Sequence, residues 1–402
     1  MCITVPHSVR MTLFLLITLV DAKAGATGIP SLTYPPSGDL QEISSLDVYP
    51  DQGSLHVLLA GSAGGKATSV LRYLCSDDGG HTWSEPAAIY TGKAPLNQSI
   101  HRGNDVQIAA AGKRLVAVWQ VPGSGFNGRG PLATAISSDG GDTWVSGPNP
   151  ADDANHDDHA FVDLGADRKG RFHLVWLDNR GQERSKGLRY ARSADGGRSW
   201  SRNATLDGKT CACCWNTLAV SLSGAVSVLY RAAEPRDMAL AQSVDEGLSW
   251  RRLGPVGRFG WAFDGCPHVG GGLALGGAEV LHGIVWTEHK PKAGLHYLRS
   301  ANRGRSWSNP QPLGEANGVH ADIAALNDHH IAAAWGALGP EGSAILAAQS
   351  SDNGKTWSVP RRLSYSDAFA THPRIAATPF GLRVMWTEQR SKQPGVWDMA
   401  RL

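Results

Sequence analysis

The chain has 402 residues, rich in glycine (48) and tryptophan (14), with only 18% charged side chains and a formal net charge of +2. That near-neutral balance, without a basic block, argues against nucleic acid as a partner, and glycine-rich turns with aromatic anchors suit an all-β chain. The length would permit two or three domains, but a closed ring of repeats this size is one.

At the N-terminus Arg10 precedes an apolar run, Met11 to Val20, and Ala22-Lys23-Ala24 or Ala24-Gly25-Ala26 supplies a small-x-small cleavage site. This is the pattern of an export signal, and the run is too short for a permanent bilayer span. The expectation is a signal peptide over residues 1–26 and a secreted or periplasmic domain over 27–402, with Met11 as a second candidate start. No later segment is long and apolar enough to cross a membrane.

Repeats follow. Each has four strand-like pieces: one that often opens on His or Cys, one that ends in Trp or Tyr, one leading into an eight-residue phrase, and one leaving it. In the first repeat these are roughly Ile43 to Tyr49, Ser54 to Leu59, Ser69 to Cys75 and Glu85 to Tyr90. The phrase itself, S-x-D-x-G-x-[ST]-W, runs from Ser76 to Trp83 and returns at Ser137, Ser193, Ser243, Ser300 and Ser350. Only the fifth copy departs, with Asn302 in place of Asp. Asp and Ser side chains bond nearby backbone N–H groups, Gly takes a positive φ, and Trp anchors the turn, so the phrase reads as a hairpin turn. Self-similarity at this period means a radial or stacked repeat architecture.

A seventh, partial repeat opens at His372, passes Leu382 to Trp386 and ends with Val396 to Leu402. Ile29 to Tyr34 would supply its missing strand and close the ring. The count gives seven blades.

The phrase resembles the Asp-box of the sialidase-like (BNR-repeat) β-propellers, over nearly the whole chain after the first ~30 residues. The resemblance implies an all-β fold, a single β-propeller of four-stranded antiparallel sheets with Asp-box turns, and six blades as the alternative to the counted seven. It also puts the boxes on the face opposite the binding face. The openings of the first strands, around the channel mouth, then carry His101, His159, Cys213 and Cys214, Cys266 and His268, His320, and His372. Radial geometry would aim these at one axis.

Imidazole and thiolate together suit zinc or copper, thiolate favouring Cu(I). The densest piece is Cys211-Ala212-Cys213-Cys214-Trp215, where residues 211 and 213 of an extended strand point the same way. A soft-metal site of Cys211, Cys213 or Cys214, Cys266 and one or two histidines is one expectation. The other is a disulfide, the default for exported cysteines, with Cys266 bridged to the 211–214 group; five cysteines in the mature chain leave at least one unpaired.

The resemblance further implies an exo-α-sialidase with three arginines clamping a carboxylate, a Tyr–Glu nucleophile pair and an Asp acid/base. The family's Phe/Tyr-Arg-Ile-Pro motif is missing; the matching region reads Ser44-Ser45-Leu46-Asp47-Val48-Tyr49-Pro50. Arg102, Arg180, Arg231 and Arg390, with Tyr230 and Glu288, are the candidates that follow from position. The functional expectation is a binding protein that takes a metal ion, a small ligand or a glycan at the propeller face; glycoside hydrolysis and a scaffold for a protein partner are the alternatives.

Overall fold

The computed structural model describes residues 34–402 apart from 65–68, 90–101, 126–127, 154–157, 181–185, 222, 264, 278–279, 341 and 392. The expected signal segment lies outside the described residues, as does all of the expected strand Ile29 to Tyr34 except Tyr34. Among the described residues every regular element is a β-strand, and no helix is long and apolar enough to cross a membrane.

The strands form seven antiparallel sheets, each built from neighbours in sequence. Blade one comprises Leu40–Asp51, Ser54–Ala63, Ser69–Ser76 and Ala87–Ala88. The inner strands of the following blades are Gln107–Ala111, Ala160–Ala166, Thr217–Val220, Gly272–Gly276, Gly318–Ala325 and Ala368–Thr378. Each inner strand contacts the next, and the seventh contacts the first, so the ring is closed. Six sheets have four strands; the seventh has three among the described residues. The repeat count of seven is therefore the right one.

Channel-lining aspartates tie neighbouring inner strands together. Asp47 accepts the Ile108 N–H at 2.8 Å, Asp163 the Leu218 N–H at 2.6 Å, and Asp322 the Ile375 N–H at 3.0 Å. Arg374 lies among them in the channel, 3.4 Å from Asp47. Burial pushes Asp47 up to about 6 and Asp163 up to about 7, opposed by the Arg374 charge. Between blades the second strands supply Trp119, Trp176, Trp335 and Trp386, each at most 1% exposed. Each such ring contributes roughly 2–3 kcal/mol of transfer free energy.

The boxes share one scheme. In the second, Ser137 Oγ receives the Gly141 N–H at 2.9 Å, and Asp139 accepts from Thr143 N and Oγ1. Those Thr143 bonds hold the Asp139 carboxyl down at about 2. In the fifth box the polarity reverses: Asn302 Nδ2 donates to Ser306 Oγ at 2.8 Å while its Oδ1 still receives the Ser306 N–H. Asn thus preserves the turn.

Box glycines also serve packing. Gly247 has φ +85, and a Cβ there would sit 1.8 Å from the Tyr190 hydroxyl of the preceding blade. Tyr190 packs edge-on against Trp250 at 4.6 Å and bonds His173 Nδ1 at 2.7 Å. The same His–Tyr–box arrangement recurs with His56, Tyr73 and Trp144, and with His282, Tyr297 and Trp357.

The seam between blades seven and one is closed by non-local contacts. Ile43 N–H donates to the Gly395 carbonyl at 3.0 Å, and Trp397 Nε1 to the Pro36 carbonyl at 3.2 Å. Trp397 is fully buried and meets Trp83 edge-on at 5.3 Å. Tyr34 Oη donates to Glu388 at 3.1 Å.

Candidate functional site at the channel mouth

Boxes join third to fourth strands and so share a side with the turns between first and second strands. The openings of first strands and the ends of second strands therefore lie together on the other face. That antiparallel logic puts the sequence candidates on one face but does not make them converge.

The loop 211–216 joins the outer strand Ala204–Thr210 of blade three to the inner strand of blade four. Cys211 N–H donates to the Arg231 carbonyl at 3.0 Å, Asn216 Nδ2 to the Phe161 carbonyl at 2.9 Å, and Thr217 Oγ1 to the Gly271 carbonyl at 2.6 Å. So pinned, the loop folds three thiols inward. Cys211 Sγ lies 3.6 Å from Cys213 Sγ and 3.5 Å from Cys214 Sγ, and all three sulfurs fall within 4.8 Å of one another. Cys211 and Cys214 are 1% exposed and Cys213 5%. Arg236 Nη1 donates to Cys211 Sγ at 3.1 Å.

Cys266 is an exposed free thiol and His268 is exposed, its Nδ1 2.8 Å from the Cys266 carbonyl; neither joins the trio. No disulfide links Cys266 to Cys211, Cys213 or Cys214.

Directly after the trio, Trp215 lies at the channel mouth. His320 and His372 stack on each other at 3.8 Å, and each meets the indole edge-on, at 5.4 and 5.5 Å. Gly270 makes room for it, since a Cβ there would lie 2.4 Å from the indole. These rings, with Arg102, Asp322 and Arg374, line a narrow cleft. Burial, with the nearby Arg102 charge, pushes His320 down to about 4, so it is neutral at pH 7.

The histidine ring separates into distinct places. His320 and His372 share the cleft. His159, fully buried, holds Asp153 at 3.1 Å. Asp178 completes a second group with these two, but its carboxylate already pairs with Arg180 at 3.2 Å and Arg189 at 2.8 Å, which opposes a cation. His101 lies outside the described residues.

The arginine and tyrosine candidates each bond to separate partners within the protein, and the glutamate is exposed. Arg102 donates to Asp105 and the Leu46 carbonyl, both at 2.6 Å, and to the His372 carbonyl. Arg180 pairs with Asp178 and Asp152. Arg231 is 1% exposed and spends its donors on the carbonyls of Val269, Arg236 and Trp286. Arg390 pairs with Asp367 at 2.6 Å. Tyr230 turns away between blades to donate to Asp207 at 2.8 Å, and Glu288 is exposed. Arg236 escapes a sequence reading because nothing in its neighbourhood marks it as a thiol partner; only the fold brings it there.

A search of curated proteins found no match. Solved structures give likeness of fold. An ulvan lyase described as a new polysaccharide lyase family is 12% identical, with a TM-score of 0.61 over 92% of this chain and 95% of that one. A mutant NanB sialidase from Streptococcus pneumoniae is 12% identical, with a TM-score of 0.52 over 93% of this chain and 71% of that one. Against a Hadza microbial sialidase, 15% identical with a TM-score of 0.48, 74% of this chain spans 64% of the other's length. The family described as BNR repeat-like domain matches residues 46–253, slightly more than half of the chain. With six box turns set in a closed seven-bladed ring, the chain belongs to the BNR repeat-like family, as a sialidase-like β-propeller.

Proposed function

We propose that this is an exported propeller that holds a soft metal ion, copper or zinc, on Cys211, Cys213 and Cys214 beside its channel mouth. The observation that carries this reading is the convergence of three buried sulfurs within 4.8 Å. Metal–thiolate bonds of about 2.3 Å separate neighbouring sulfurs by roughly 3.8 Å in a tetrahedral arrangement. The observed 3.5 and 3.6 Å need only a small expansion. The test is metal content and free-thiol count on mature protein purified anaerobically without chelators. About one equivalent of metal is expected, lost in Cys213→Ser; metal-free protein with a Cys211–Cys214 disulfide would sink the reading.

A second reading, saccharide binding in the cleft, is favoured by the aromatic rings of Trp215, His320 and His372 above the polar Asp322 and Arg374. Sugars present C–H faces to rings and hydroxyls to charged groups. Sialoside hydrolysis draws no such support, because its candidate arginines are engaged with the protein itself. A fluorogenic sialoside should therefore give no turnover. Turnover abolished by both Glu288→Gln and Tyr230→Phe would restore the glycosidase.

A further inference from the structure

Two guanidinium groups flank the thiol trio, and among the described residues neither has a carboxylate within ion-pair distance. Arg236 reaches Cys211 Sγ at 3.1 Å and otherwise donates to the Phe263 carbonyl at 2.6 Å. Arg231, almost wholly buried, bonds only backbone carbonyls and lies over the rings of Trp261 and Trp286 at 5.3 and 5.8 Å. The two are linked, since Arg231 Nη1 donates to the Arg236 carbonyl at 2.5 Å. A positive charge held out of water without a counter-charge is costly, and thiols that can become anionic lie beside both: Arg236 donates to Cys211, and the Arg231 charge acts on Cys214.

From this geometry we infer that the site, read as above as a metal site, is built for a monovalent, three-coordinate soft cation, Cu(I), with Arg236 and Arg231 as its balancing charges. Three thiolates, one monovalent ion and two guanidinium groups sum to zero. A divalent ion would leave one net positive charge beside the three buried sulfurs. Coordination number points the same way. Zinc in a structural site takes four ligands, and here no His, Cys, Asp or Glu among the described residues joins the three sulfurs. Cu(I) is soft, favours thiolate and accepts three ligands. Arg236 touches a ligand sulfur rather than the ion, so it is a positioning residue.

The experiment is anaerobic titration of the reduced protein with Cu(I), buffered by a competing chelator, and separately with Zn(II), followed by X-ray absorption at the metal edge. One Cu(I) per chain with a shell of three sulfurs is expected, held more tightly than Zn(II). Arg236→Met should weaken Cu(I) binding roughly 10- to 100-fold, the range for loss of one charge-assisted hydrogen bond, with Arg236→Lys recovering part of it. Binding of neither metal would overturn the metal reading itself. Binding of Zn(II) more tightly than Cu(I), or a fourth nitrogen or oxygen ligand, would leave a metal site standing and overturn the monovalent assignment. Equal loss in Arg236→Met and Arg236→Lys would remove the charge argument.

Discussion

The two faces of the ring are built on opposite principles. On the box face six turns repeat one hydrogen-bond scheme, and even the Asn302 copy keeps it by reversing a single donor. On the mouth face the openings vary: a trio of thiols and an indole before blade four, a loop exposing Cys266 and His268 before blade five, stacked imidazoles on blades six and seven. The box face is fixed by bonds within a few residues of one another. The mouth face is fixed by contacts between blades, so any one opening can change without disturbing the turns opposite. Separating the scaffold from the site in this way lets one fold host unrelated chemistries.

The contrast can be broken first at Arg231. Arg231→Met strands three carbonyls and should cost about 3–5 kcal/mol in urea unfolding, weakening the proposed metal site with it. Metal affinity that survived intact would show the trio to be held independently of this arginine. On the box face, Gly247→Ala should cost about 2–4 kcal/mol, from the positive φ and the Tyr190 clash together, while metal binding stays unchanged. Gly254→Ala separates the two causes: its φ is +88 but nothing lies within 4 Å, so only about 1–2 kcal/mol should be lost.

Acid acts on the His–Tyr pairs behind the boxes. Burial holds His56 and His282 down at about 4, so below the unfolded value near 6.5 the unfolded chain binds their protons first. Stability from these groups is present above pH 6.5 and is lost as pH falls toward 4, by up to about 3 kcal/mol each. His282→Gln should flatten that limb of the unfolding profile; an unaltered slope would remove His282 from the account. The smallest effect belongs to Asp139→Asn, which copies the fifth box. At pH 7 it should change stability by less than about 1 kcal/mol. It should also abolish the acid loss that the native carboxylate shows between its unfolded value near 3.8 and about 2.

The boxes were legible because their chemistry is contiguous: Ser, Asp, Gly and Trp mark a turn wherever they occur in that order. The seven blades followed from counting them and the partial repeat at His372. The thiol trio was legible for the same reason, being three residues of one loop, though its fourth expected partner, Cys266, lies apart. The recurrence of histidine at strand openings has a backbone component that the sequence does not disclose. His268, His320 and His372 sit at φ of 55°, 55° and 49°, a left-handed conformation in which His is enriched. For His320 and His372 that conformation falls at a register bulge of the inner strand, so their shared position follows from the backbone as well as from the cleft they line. The arginines were the hardest to read. A guanidinium bonded to a carboxylate ligand and one bonded to backbone carbonyls carry the same letter, and carbonyls leave no mark in a sequence.

The seam at Trp397 has a consequence for how the protein comes into being. Synthesis delivers blade one first, with Ile43, Leu46 and Leu59 facing a gap that Ala376, Met385, Trp397 and Met399 fill. Until the final strand emerges, that apolar wall stands open to water and to other chains. The ring cannot mature blade by blade from its beginning; its last few dozen residues act as a latch on its first. Shortening the chain there should therefore harm the first blade as much as the last, and an interrupted translation product should be the form that aggregates.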